Sequence, residues 1–183
     1  MTTTQPSPQP QSPAPVPAPA GRPYRVCFVC TGNICRSPMA EYVFRARVAE
    51  AGLAGVVEID SAGTGGWHQG DGADPRTVSV LAAAGYPCDH RARQFQVSWF
   101  PLRDLVIALD AGHLRTLRRL APTAQDAQKV RLLRSYDPDV SDDLDVPDPY
   151  YGDIEDFETC LDMVESASEG LLGAVREALR APA

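Results

Sequence analysis

Four short apolar runs, each followed by a helical pattern, predict an α/β protein of three layers: a four-stranded parallel sheet flanked by helices. The clearest run, Leu105-Val106-Ile107-Ala108-Leu109, is apolar throughout, as strands buried on both faces are. A length of 183 residues with 44% hydrophobic content suits a single core, so there is room for one domain and a tail.

Residues 1–22 hold seven prolines among Ala, Gln, Ser and Thr, with no aromatic residue. Such a segment buries too little apolar surface to offset its ordering entropy, and it reads as a disordered or polyproline-like tail before a domain at 23–183. It lacks the basic and apolar regions of a signal peptide, and no apolar run is long enough to span a bilayer. The cytoplasm is the expected location, with no membrane partner. Tyr24 to Val29 reads as the first strand and Pro38 to Glu50 as the first helix. Val56 to Ser61 is a second strand. Asp74-Pro75-Arg76 opens a helix, with Asp as its cap and Pro in its first turn, that runs through Leu81 and stops at Gly85. The third strand, Leu105 to Leu109, leads into a helix carrying Arg115, Arg118 and Arg119. Val130 to Leu133 is the fourth strand, and Ile154 to Leu179 is a long amphipathic helix that closes the domain. In sheets of this kind a site lies beyond the carboxyl ends of the strands.

At the end of the first strand stands Cys30-Thr31-Gly32-Asn33-Ile34-Cys35-Arg36-Ser37. A tight loop entering a helix lets several backbone N–H groups converge, and the helix N-terminus adds partial positive charge, so this is a phosphate-binding loop. Gly32 and Asn33 most easily adopt the left-handed backbone that such a loop requires. Arg36 offers a planar fork that grips two phosphate oxygens at once. The same amides and guanidinium stabilise a thiolate at Cys30, which makes it a charged nucleophile at neutral pH. Ser37 can cap the helix, with Pro38 in its first turn, or donate its hydroxyl to the thiolate.

Five cysteines without an export signal fit a reducing compartment better than a disulfide framework. Cys27-Phe28-Val29-Cys30 spells a C-x-x-C, but residues three apart on a strand point to opposite faces, so Cys27 faces the core and no redox pair forms. Cys88 and His90 have no paired spacing with the loop, so no metal or other cofactor is expected. The net charge of −7 and the lack of an aromatic-basic platform argue against nucleic acid. The charge is uneven: ten acidic residues crowd into 137–158, whereas Arg36, Arg76, Arg91 and Arg93 lie among the earlier loops. A locally basic face could steer a phosphorylated ligand.

Attack at phosphorus expels an alkoxide or phenoxide unless an acid protonates it. The segment from Tyr136 to Tyr151 supplies Asp137, Asp139, Asp142, Asp143, Asp145 and Asp148, and chemistry alone does not choose among them.

The loop and its flanks resemble the low-molecular-weight protein tyrosine phosphatases, over about residues 23 to 180. The resemblance implies hydrolysis of phosphotyrosine through a cysteinyl-phosphate, with Cys30 as nucleophile and Arg36 as phosphate clamp. Thr31 to Cys35 and Ser37 would cradle the phosphate. Val146-Pro147-Asp148-Pro149-Tyr150-Tyr151 is similar to the family's Asp-Pro-Tyr segment, which makes Asp148 the general acid and Tyr150 and Tyr151 part of the pocket wall. Trp67, on the glycine-rich Gly65-Gly66-Trp67-His68, is similar to the rim aromatic that flanks an incoming phenyl ring. Ser61 would support Asn33, and His90 and Arg93 would form a buried polar network behind the loop. Asp110 would hold the loop's backbone. Cys35 would form a reversible disulfide with Cys30 that guards it from irreversible oxidation. The partners implied are tyrosine-phosphorylated proteins and a tyrosine kinase, and the chain is expected as a monomer or weak dimer. Three alternatives compete. Arsenate reductases share the fold and the Cys-x5-Arg loop but lack the Asp-Pro-Tyr acid and relay a disulfide through two further cysteines, whereas Cys88 and Cys160 are far apart here. Phosphoarginine phosphatases typically carry Thr where this chain has Ile34. A catalytically silent phosphate-binding module would need neither Cys30 nor Asp148.

Overall fold

The computed structural model describes residues 13–14, 16–140 and 142–181. Strand β1 (Tyr24–Cys30) leads into α1 (Arg36–Glu50), β2 (Val57–Gly63) and α2 (Pro75–Ala83). β3 (Leu105–Ala108), α3 (Ala111–Leu120), the single turn α4 (Ala124–Gln128), β4 (Val130–Leu132) and α5 (Ile154–Arg180) follow. The four strands are all parallel in the order β2-β1-β3-β4. This is the three-layer α/β architecture that the alternating runs predict.

Period-2 alternation along β1 sends its side chains into two separate cores. Val26, Phe28 and Cys30 face a large core built with α1 and α5, where Phe28 meets Phe44 edge to face with centroids 5.7 Å apart. Cys27 and Val29 face a smaller core with Phe95, Phe100 and Leu117. Cys27 is therefore walled off from Cys30, and burial pushes its thiol well above the ordinary range. Helix α2 begins as its residues dictate: the Asp74 side chain accepts from Arg76 N, Pro75 occupies the first turn, and Gly85 beyond the end has φ 89°.

Helix α1 starts two residues earlier than its composition suggests. Cys35 is its N-cap residue, with no side-chain cap, so Ser37 lies inside the first turn and its hydroxyl is available for the loop. Of the Pro/Ala-rich segment, residues 1–12 and 15 lie outside the described residues. Its last part is laid on the domain: Val16 and Ala18 pack against the larger core, and Tyr24 Oη donates to Val16 O at 3.1 Å. Arg22 forks onto Asp104 at 2.9 and 3.0 Å. Among the described residues no helix is long and apolar enough to cross a membrane.

Candidate active site

Cys30 is the last residue of β1, and residues 31–35 form the loop that carries the chain into α1. Among the hydrogen bonds of the described residues, none of the five amides from Thr31 to Cys35 donates to a protein acceptor, in the loop that enters α1. Unpaired donors gathered at a helix start are a site for an anion. Two residues make this shape possible. Asn33, alone among the described non-glycine residues, has a left-handed backbone, at φ 57°. Gly63 ends β2 directly beneath the loop, where any Cβ would come within 2.6 Å of Thr31 O. Gly32, which composition also favours for the left-handed region, does not adopt it. Its lack of a side chain instead leaves room for the His68 ring, which a Cβ there would meet at 2.9 Å.

Behind the loop the orientation of Asn33 follows from its partners. Its Oδ1 accepts from the backbone N of Arg93 at 2.9 Å, so its amide nitrogen donates to Ser37 Oγ (2.8 Å) and Ser61 Oγ (3.0 Å). With Ser37 already accepting, its one proton points either to Cys30 Sγ at 3.0 Å or to Ala62 O at 3.3 Å. Once the sulfur is a thiolate, the sulfur is the stronger acceptor. Ser61 passes its own proton to Glu41 Oε2 at 2.7 Å. His90 is buried, not a surface histidine, and its Nε2 donates to Asn33 O at 2.7 Å. Arg93 joins this network through its backbone N and through Nε, which donates to Ser61 O at 3.2 Å. The rest of its guanidinium turns outward to Asp60 and the Trp99 ring and is 41% exposed, which corrects the expectation of a buried Arg93 side chain. Glu41 escapes a reading by motif. Burial pushes its carboxyl up, but hydrogen bonds from His90, Ser61 and Arg45 outweigh that and hold it below the ordinary range. The available signal is its place in α1 four residues after Ser37, on the same helix face.

Arg36 is buried, and its Nη1 donates to Asp110 Oδ2 (2.8 Å) and Val146 O (3.0 Å). Asp110 therefore holds the guanidinium and caps α3 through His113 N (2.8 Å). It does not hold the loop's backbone as expected, because its carboxylate faces Arg36 across the sheet end. Burial raises the Asp110 carboxyl, but the His113 amide and ring and the Arg36 guanidinium together lower it below its usual value. His113 is also missing from the motif reading. Its Nε2 lies 2.8 Å from Thr31 Oγ1, and burial above all pushes it down to about 4, so it is neutral at physiological pH. The chain Arg36, Asp110, His113, Thr31 thus ties the two ends of the loop together from outside.

The acidic segment resolves by geometry. Asp145 accepts from Ala111 N, Asp143 from Asp145 N, and Asp137 from Asp139 N and Ser166, and none of the three lines the cleft. Asp148 alone of the six borders the cleft above Cys30, with Oδ2 3.6 Å from Arg36 Nη2 and Oδ1 accepting from Tyr150 N. The cleft measures about 230 Å³. Its floor is Cys30, Thr31, Gly32, Ile34, Cys35 and Arg36, and its walls are Trp67, His68, Tyr150 and Tyr151. Trp67 is 75% and Tyr151 92% exposed, which leaves both free to meet a ligand. Cys35 is buried beneath the loop, and burial, with Asp74 and Cys30 adding to it, pushes its thiol up to about 12. Cys88 and Cys160 are each pushed up to about 11, chiefly by burial, and neither lines the cleft.

Known proteins resemble this chain closely. The family model described as low molecular weight phosphotyrosine protein phosphatase matches residues 25–181. A low molecular weight protein-tyrosine-phosphatase of Streptomyces coelicolor is 76% identical over 155 residues, covering 84% of this chain and 94% of that protein. A low molecular weight protein-tyrosine phosphatase A of Mycobacterium tuberculosis is 51% identical over 158 residues, covering 86% of this chain and 94% of the relative. The crystal structure of a protein tyrosine phosphatase from Entamoeba histolytica, with Hepes in its active site, superposes with a TM-score of 0.82 at 34% identity, covering 85% of this chain and 99% of that one. With the loop, the cleft and the sheet order in place, and with these identities spanning nearly the whole of each relative, the chain belongs to the low molecular weight phosphotyrosine protein phosphatase family.

Proposed function

We propose that the protein hydrolyses phosphotyrosine through a cysteinyl-phosphate. The reading rests on one observation: a cysteine at the head of a loop of unpaired amides, a buried arginine and the Asp148 carboxyl meet in one aromatic-walled cleft. The Cys30 thiolate attacks phosphorus while the amides of Thr31 to Cys35 and Arg36 hold the three equatorial oxygens, where charge gathers in the transition state. Asp148 gives its proton to the departing phenolic oxygen. Water then attacks the phosphocysteine with Asp148 as base, releasing phosphate and restoring the thiolate. Ser37 supports the thiolate as nucleophile and again as leaving group. Trp67, Tyr150 and Tyr151 would sandwich the substrate ring, which suits an aryl ester. The partners are then tyrosine-phosphorylated proteins, and the five free cysteines suit the reducing cytoplasm.

Phosphate release from phosphotyrosine, phosphoserine and phosphoarginine checks the assignment. Turnover of phosphotyrosine well above the other two is expected, since Ile34 offers no hydroxyl to a guanidine nitrogen. Preference for phosphoarginine would reassign the substrate, and no turnover of any would leave only a phosphate-binding module.

Cys35, which lines the same cleft as Cys30, would protect the nucleophile. Peroxide converts the Cys30 thiolate to a sulfenic acid, and the Cys35 sulfur then attacks it, forming a disulfide and expelling water. Activity lost to mild peroxide should return with thiol reductant in the native chain and return poorly in Cys35→Ser. Equal recovery in both would make Cys35 a packing residue only.

A further inference from the structure

We propose that Arg76 is a positioning residue that suspends the acid loop over the phosphate loop, a role resting on the reading of Asp148 as general acid. It stands in the first turn of α2, and α2 is itself tied to the phosphate loop, because Asp74 N donates to Ile34 O at 2.8 Å. The Asp74 carboxylate takes Arg76 N (2.9 Å), Nε (3.0 Å) and Nη2 (2.9 Å), so the guanidinium is held as a bidentate fork. Those same hydrogen bonds from Arg76 are the chief cause of a lowered Asp74 carboxyl, which keeps the pair ionised.

The outer edge of the fork points away from Asp74 and onto the segment after Asp148. Nη1 donates to Gly152 O at 3.1 Å and Nη2 to Tyr150 O at 3.0 Å, and the guanidinium carbon lies 4.4 Å from the Phe157 ring centroid. The carbonyls so held belong to the turn closed by Gly152 N on Pro149 O. On the other side of Asp148, Val146 N donates to Leu109 O, and Val146 O accepts from Arg36. Asp148 therefore hangs between two anchors, one on the sheet end and the other on Arg76. The second anchor is a side chain 34% exposed at the rim, outside the set of α2 residues buried in the core. Losing it should move the acid more than it loosens the fold.

The test is a series of aryl phosphates of graded leaving-group acidity, run on the full chain as native, Arg76→Ala, Arg76→Lys, Asp148→Asn and the double variant. Arg76→Ala should lose about 10- to 100-fold in kcat/KM on phenyl phosphate, which reads the step that expels the leaving group, the scale of a displaced catalytic group. It should steepen the dependence on leaving-group acidity, and inhibition by inorganic phosphate, which reads the untouched loop, should stay as in the native protein. Arg76→Lys keeps the charge but cannot hold Asp74 and two carbonyls together, so it should recover only part of the rate. It also carries the slope measurement should Arg76→Ala fold poorly. In the Asp148→Asn background, Arg76→Ala should add no further slope. A loss equal for every leaving group, or full additivity with Asp148→Asn, would overturn the positioning role while Asp148→Asn still steepens the slope. An unchanged slope in Asp148→Asn itself would overturn the acid assignment, and this proposal with it.

Discussion

Cys30→Ser is expected to abolish turnover, by something on the order of 10⁴- to 10⁶-fold as when a covalent nucleophile is removed, while phosphate binding survives. A neutral hydroxyl is a far weaker nucleophile than a thiolate. Nothing nearby would ionise it, because Ser37 already shares its proton with the sulfur position and the Ala62 carbonyl. The anion site, by contrast, is made of the amides of residues 31–35 and of Arg36, none of which the substitution touches. Removing a thiolate also removes a negative charge from beside the bound dianion, so inorganic phosphate should bind Cys30→Ser at least as tightly as the native protein. Steady-state hydrolysis and calorimetric titration with phosphate measure the two halves separately. Full activity in the variant would sink the covalent mechanism. Loss of phosphate binding in a folded variant would mean that the sulfur organises the loop as well as reacting.

The strands, the loop and the order of elements were legible because each has a local cause. Apolar runs of four to seven residues mark buried strands, Asp74-Pro75 and Gly85 punctuate α2, and a Cys-to-Arg loop at a strand end signals an anion. What the sequence hides is partnership at long range. Glu41 reaches Ser61 across 20 residues and Arg36 reaches Asp110 across 74 because β1 lies between β2 and β3, and Arg76 reaches Tyr150 across 74 because α2 packs against α5. No local pattern encodes such meetings. The same reason accounts for Ser37. Its spacing suits a cap equally well, and only the position of Cys30 above it decides that its hydroxyl turns to the sulfur. The single turn α4 is too short for a 3.6-residue period to register.

Asp148→Asn is expected to slow hydrolysis of phenyl phosphate by about 10²- to 10⁴-fold, the usual worth of a positioned general acid. The choice among six carboxylates rests on geometry as well as resemblance, since Asp148 borders the cleft and the other five do not. Phenol, with a pKa near 10 like tyrosine, departs poorly as an anion, so it needs the proton. A nitrophenoxide is stable enough to leave without one, and there the penalty should shrink. Rates across substituted aryl phosphates should therefore fall more steeply with rising leaving-group pKa in Asp148→Asn than in the native enzyme. Asp143→Asn should leave that slope unchanged, because its carboxylate accepts from Asp145 N and does not line the cleft. Asp145→Asn should do the same, though it loosens the start of α3, where Asp145 accepts from Ala111 N. A slope that steepens only for Asp143 or Asp145 would move the acid to that residue and leave the phosphatase reading standing. A slope that steepens for none would mean that the leaving oxygen takes its proton from another donor, and that the Arg36–Asp148 approach serves only to close the cleft.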